Sequence, residues 1–138
     1  MVDVVTPEQR SSMMARIRGR DTRAEVAVRS YLHRTGLRFR TNDRALAGSP
    51  DVVLPKFRCV VFVNGCFWHR HPGCRFATTP ATRTEFWQTK FAANVARDRR
   101  VHEDLRRTGW RPLVIWECEV ARPESLDELF WQIVAGEP

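Results

Sequence analysis

Three soft metal-binding side chains, Cys66, His71 and Cys74, fall within nine residues of one another, and a further cysteine, Cys118, lies far downstream. The sequence holds only four cysteines, and a 138-residue domain buries enough surface to need no disulfide scaffold. A Cys₃His set suits a closed, four-coordinate structural zinc site, which leaves no position for water or substrate. Such an ion would stiffen the loop between Cys66 and Cys74 and take no part in chemistry. The alternative for Cys118 is a buried free thiol. Cys59 lies inside the apolar run 59–63 and reads as core.

Around this loop the patterning alternates helix and strand. Thr22 with Glu25 forms a capping box for a helix carrying Val26, Val28, Tyr31 and Leu32, which Gly36 stops. A short strand is expected at 37–40, a turn at Gly48-Ser49-Pro50, strands at 51–54 and 58–63, and a loop over 64–80. Thr82 with Glu85 forms a second capping box, opening a long helix to about Arg107 that Gly109 ends. Strand 110–116 contains Pro112, which marks an edge or a bulge. Pro123, Leu126, Leu129, Phe130 and Ile133 then pattern a closing amphipathic helix. Upstream, Thr6 to Arg20 reads as a basic helix or arm whose large apolar side chains are Met13, Met14 and Ile17. The order predicts an α/β fold with a small mixed sheet. With no repeat, linker or low-complexity tract, residues 1–138 are expected to form a single domain. The longest apolar run is too short to span a bilayer, and the start lacks a basic n-region. The expectation is a cytoplasmic protein with no membrane association.

The formal net charge is +7, and 21 arginines accompany only two lysines, Lys56 and Lys90. Arginine-favouring codon usage explains this excess; so does a polyanionic partner, whose phosphates guanidinium groups bind bidentately. Phe67-Trp68 on the metal-stiffened loop either plug the core or stack between bases. The same two readings apply to Trp87, Met14 and Ile17. Asp51, at the start of a strand, is a turn residue or an Mg²⁺ ligand acting with a main-chain carbonyl. Glu25 caps its helix and can also bond a metal-bound water. His69 is suited to general base chemistry. Asp98 either pairs with Arg97, Arg99 or Arg100 or orients His69 as carboxylates orient catalytic imidazoles.

Five motifs in order, Gly65-Cys66-Phe67-Trp68-His69-x-His71, Pro80 to Trp87, Asn94-x-x-Arg97-Asp98-Arg99-Arg100, Gly109-Trp110-Arg111 and Val114 to Cys118, resemble the very-short-patch-repair (Vsr) endonucleases. The resemblance runs from about Arg10 to Cys118. It implies a restriction-endonuclease-like small mixed sheet flanked by helices with a structural zinc loop. It also implies an Mg²⁺-dependent, strand-nicking endonuclease cutting 5′ to the T of a T·G mismatch left by deaminated 5-methylcytosine. Carried over by position, Asp51 and the carbonyl of Val63 hold Mg²⁺, Glu25 acts through metal-bound water, His69 is the base and Asp98 its partner. Cys66, His71, Cys74 and Cys118 are the zinc ligands; Phe67, Trp68 and Trp87 intercalate, and Met14 and Ile17 belong to an arm gripping double-stranded DNA. The implied associations are a cytosine-5 DNA methyltransferase and a repair polymerase and ligase, and nicking one strand requires only a monomer.

The chain departs from the best-known members at Val63-Asn64, where they carry Thr-His, and by one residue inserted between His71 and Cys74. Asn64 can bond a phosphate but cannot carry a proton at neutral pH. No lysine follows the Asp51 strand in the position many restriction-type nucleases use. Two other functions fit the residues: a non-catalytic binder of distorted duplex, and a restriction-like nuclease with a different target.

Overall fold

The computed structural model describes residues 22–136. The arm at 1–20, with Met14 and Ile17, lies outside the described residues. Helix α1 (Arg23–Arg34) begins where its capping box predicts, with Thr22 Oγ1 accepting from the Glu25 N–H at 3.2 Å. Glu25, Val28 and Leu32 form its buried stripe, at the i, i+3, i+7 spacing of one helix face. Val26 was expected in that stripe but is 49% exposed, because two helical residues separate it from Val28 by about 200°. The chain leaves the helix through Gly36 at φ 88, a left-handed turn that disfavours any residue with a Cβ.

Four strands form one sheet in the order β1 (Arg40–Thr41), β2 (Val52–Leu54), β3 (Cys59–Asn64) and β4 (Arg111–Trp116). The first two junctions are antiparallel and β3–β4 is parallel, so the sheet is mixed. The first strand is shorter and later than the expected 37–40, because Leu37 and Phe39 pack against the hydrophobic core instead. β4 is an edge strand, as Pro112 implied.

Helix α2 (Thr84–Arg107) provides the crossover between the two parallel strands. Its expected capping box, Thr82 with Glu85, does not form. Arg83 occupies the cap position in a left-handed conformation, φ 55, and no side chain caps the helix there. A four-residue helix, α3 (Glu117–Val120), follows β4 directly, and α4 (Pro123–Ala135) closes the described chain.

Alternation along the strands divides the core between the two faces of the sheet. Val52, Leu54, Cys59, Val61 and Ile115 pack with Val28 and Leu32 of α1 and with Leu126, Leu129 and Ile133 of α4. Val53, Val60 and Phe62 point the other way, onto Leu105 of α2 and Trp110. Full burial of one such aliphatic side chain contributes roughly 1.5–3 kcal/mol, so both helical layers are firmly held on the sheet. Among the described residues, no helix is long and apolar enough to cross a membrane.

The parallel pairing has one further effect, which positions the site. Asn64 is opposite Trp116. The loop leaving β3 and the helix leaving β4 therefore start side by side, at the same end of the sheet.

Candidate active site and metal centre

Cys66 follows the end of β3 by two residues, and Cys118 follows the end of β4 by two. The parallel register thus brings the remote cysteine to the loop. The ligand atoms of Cys66, His71, Cys74 and Cys118 all lie within 4.8 Å of one another. Cys74 Sγ is 3.9 Å from Cys118 Sγ, and Cys118 Sγ is 3.4 Å from His71 Nδ1. Atoms bonded at about 2.0–2.3 Å to a tetrahedral ion stand roughly 3.5–3.8 Å apart, so these spacings fit a four-coordinate metal. The four side chains form a group that can hold a metal ion.

Local structure fixes each ligand. The His71 N–H donates to the Cys66 carbonyl at 3.0 Å, and the Cys74 N–H to the His71 carbonyl at 3.3 Å. The His71 imidazole stacks on Trp116, centroids 4.3 Å apart and 13° from parallel. At the start of α3, Glu119 Oε1 accepts from the Trp116 N–H at 2.9 Å, setting the turn that presents Cys118. Burial pushes the Cys66 thiol up to about 12, and burial also raises Cys118, whereas the Phe76 N–H lowers Cys74. A cation among the sulfurs supplies the charge that makes thiolates favourable.

On the same loop, between Cys66 and His71, lie Phe67, Trp68 and His69. His69 Nδ1 is 2.6 Å from Asp98 Oδ2, and each side chain is 25% exposed. Asp98 is therefore in contact with the His69 imidazole. Asn94, one turn earlier on α2, donates to the Trp68 carbonyl at 3.2 Å. Helix α2 thus holds two successive loop residues from one face.

The third group lies at the junction of β2 and β3. Asp51 immediately precedes β2, and its Oδ2 accepts from the Val63 N–H at 2.7 Å. Burial pushes the Asp51 carboxyl up to about 6; the Val63 bond opposes this, Glu25 adds to it, and Arg29 and His69 pull it down. These charges act on Asp51, which makes Glu25, Arg29 and His69 its electrostatic neighbours. Glu25 and Asn64 are the buried polar side chains among the described residues, each 7% exposed. Two carboxylates in a partly dry site, with a main-chain segment beside them, form an oxygen-rich donor set that suits a hard divalent cation.

The aromatics form a connected cluster. Phe67 meets Trp68, Trp87 and Phe91 at centroid distances of 5.0, 5.8 and 5.1 Å, and Trp68 meets Trp87 at 5.9 Å. Phe91 is 6% exposed and anchors the group, while Phe67, Trp68 and Trp87 are only half-buried. The cluster is therefore rooted in a buried ring and partly open to solvent. Phe91, Arg29 and Trp116 were not among the residues expected from sequence. Phe91 and Arg29 each lie four residues after an expected residue on a helix, Trp87 and Glu25 respectively, and that spacing was the available signal. Trp116 offered none, because its role depends on the parallel register.

The DNA mismatch endonuclease Vsr family matches the chain over residues 2–75. DNA mismatch endonuclease Vsr of Escherichia coli (strain K12) is 44% identical over 142 residues, covering 99% of this chain and 90% of that protein. The type II nicking enzyme V.XorIIP of Xanthomonas oryzae pv. oryzae is 47% identical over 127 residues, 92% of this chain and 93% of that one. The nicking enzyme V.NmeAIP of Neisseria meningitidis is 40% identical over 120 residues, covering 87% and 85%.

Proposed function

The chain belongs to the Vsr DNA mismatch endonucleases, and on that premise we propose that it nicks one strand of duplex DNA 5′ to the T of a T·G mismatch, using Mg²⁺. The observation that carries this reading is the oriented His69–Asp98 pair, 2.6 Å apart, whose imidazole also acts on the ionisation of Asp51. With Nδ1–H donated to Asp98, His69 keeps Nε2 to take a proton from the attacking water. Asp98 fixes the ring and stabilises the imidazolium that results. Water adds to phosphorus and one P–O ester bond breaks, leaving a nick. Asn64 donates a hydrogen bond to a phosphate oxygen and does not shuttle a proton.

Asp51 and the main-chain carbonyl of Val63 would hold Mg²⁺, with Glu25 reaching it through a bound water. When bound, the ion supplies charge stabilisation for the phosphate oxygens. Zinc is the natural occupant of the Cys66, His71, Cys74 and Cys118 group, since three cysteine sulfurs and an imidazole gathered within 4.8 Å of one another suit it. Phe67, Trp68 and Trp87 enter the base stack, and the arm with Met14 and Ile17 grips the duplex from the other groove. The protein acts as a monomeric single domain in the cytoplasm, repairing deamination products of a cytosine-5 methyltransferase ahead of a polymerase and ligase.

The test is incubation of a labelled duplex carrying one T·G pair with Mg²⁺, beside an EDTA control and a fully paired duplex. A single nick 5′ to the mismatched T, dependent on Mg²⁺, is the expected result. Binding without cleavage would replace the nuclease reading with that of a distorted-duplex binder. Cleavage of the paired duplex at an equal rate would remove mismatch selection.

A further inference from the structure

Neither the metal group nor the proton-transfer pair accounts for the guanidinium of Arg70. The residue lies between His69 and His71 with a left-handed backbone, φ 57, which is disfavoured for any residue with a Cβ. Its Nη1 donates to the carbonyls of Phe67 at 3.2 Å and Thr78 at 3.0 Å. Its Nη2 donates to the Ala77 carbonyl at 2.8 Å and lies 3.4 Å from Thr79 Oγ1. Its Cζ is 3.9 Å from the centroid of Phe91, the buried ring beneath the aromatic cluster.

One planar fork therefore joins three stretches of chain: the aromatic turn at Phe67, the returning chain at 77–79, and helix α2. The metal-capable group grips the loop at Cys66, His71 and Cys74, and Cys74 takes up the N–H groups of Phe76 and Ala77; the carbonyls of residues 77 and 78 are bonded by Arg70. Without Arg70, the carbonyls of residues 77 and 78 lose these partners, and Phe67 loses its bridge to the returning chain. Lysine cannot substitute, because an ammonium is a point charge without the flat, divergent donors that span these carbonyls and stack on a ring.

We propose that Arg70 is a positioning residue that pre-orders the Phe67–Trp68 wedge by tying the aromatic turn to residues 77–79 and to Phe91. The proposal rests on the wedge reading above. Pre-ordering removes an entropic cost of binding, so its loss weakens binding and leaves the chemical step nearly untouched. His69 is anchored separately by Asp98, which keeps the general base in place.

Arg70→Gly and Arg70→Lys test this in the full-length, metal-loaded protein. Glycine accepts the left-handed backbone, so the first variant removes the fork without adding strain; the second retains charge and stem. Both should keep wild-type metal content, and amide hydrogen exchange across 67–79 should accelerate at least about tenfold, a local opening. KM for the T·G duplex should rise about tenfold in both variants, the size of ordering one or two side chains at an interface, with kcat changed less than about threefold. The salt dependence of binding should stay as in wild type. If Arg70 instead simply contacts a phosphate, Arg70→Gly lowers the salt slope by about one and weakens paired and mismatched duplex equally, and Arg70→Lys restores binding; that pattern overturns the proposal. Unchanged exchange across 67–79 also overturns it. Exchange is read without DNA, so accelerated exchange in a protein whose wild type cuts no T·G duplex would sustain the Arg70 strut and reject only the nuclease reading.

Discussion

The carboxyl of Asp51 titrates at about 6, above its ordinary 3.8, chiefly because it is partly desolvated and secondly because Glu25 is near. In the unfolded chain the same group ionises at its ordinary value. Between about pH 4 and 6 the folded protein therefore holds more protons than the unfolded one, and metal-free stability falls as pH rises through that window. Above it, the charged form costs on the order of 2–3 kcal/mol, since each tenfold change in an ionisation constant corresponds to about 1.4 kcal/mol. Asp51→Asn removes that cost, while its amide oxygen still accepts from the Val63 N–H. Thermal unfolding without divalent metal should show this variant more stable than wild type at pH 7.5 and little different near pH 4. Nicking by the same variant should be abolished, and added Mg²⁺ should raise the wild-type melting temperature far more than the mutant's. Equal stability of the two proteins at both pH values would mean that Asp51 carries no stored electrostatic cost. The role proposed for His69 is different, proton transfer. His69→Ala should lower nicking by roughly 10²–10⁴ with duplex binding near wild type, the usual range for a positioned base. Full activity would remove His69 from the mechanism.

The loop from β3 to α2 gains its order at the level of elements. Its sequence alone, rich in His, Gly and aromatics, provides no repeating hydrogen-bond pattern, and its fixed points are the metal group at one end and α2 at the other. Cys118→Ser and Cys74→Ser should each abolish the binding of one metal ion per chain. The loop should then lose protection from proteolysis, since structural metal binding is also folding energy. Elemental analysis finding no metal in a folded, active protein would defeat the four-ligand assignment. The four side chains of this metal-capable group were legible in the sequence, because soft side chains are scarce and three of them are close together. The β3–β4 register that unites them was not, since a parallel pair separated by a 24-residue helix leaves no local pattern. Helix α1 was legible through Thr22 and Glu25, where a local hydrogen bond decides the start. The same pattern at Thr82 and Glu85 misled, because the chain enters α2 through a left-handed Arg83 that points the helix away from its would-be cap. The His69–Asp98 contact was one of two options for Asp98, the other being a local ion pair with Arg97, Arg99 or Arg100. A tertiary contact chose between them, and no rule of sequence spacing links positions 29 residues apart.

At the scale of the whole molecule, a net charge of +7 and a half-buried aromatic cluster address different properties of a duplex. Arginines neutralise phosphates without regard to sequence or pairing, and that part of the affinity falls linearly with the logarithm of salt concentration. In the proposed function the aromatic cluster acts as a wedge that has to separate base steps, at a cost of a few kcal/mol for each step opened. A T·G wobble is less well stacked than a Watson–Crick pair, so opening is cheaper there, and in the proposed function the wedge converts that difference into selectivity. Phe91 and α2 hold the wedge from behind, so little of the gain is lost to reordering of the protein. Trp68→Ala should therefore weaken binding to a mismatched duplex by about 1–3 kcal/mol, the value of one base–aromatic stack. Binding to fully paired duplex should weaken much less, because the wedge contributes little there. Titrations of both duplexes across a series of salt concentrations separate the two contributions. The ratio of affinities should shrink in the mutant at every salt concentration, while the slope against log salt stays as in wild type for both duplexes. An equal loss on both duplexes would make Trp68 a packing residue of the aromatic cluster and move mismatch selection to another surface of the protein.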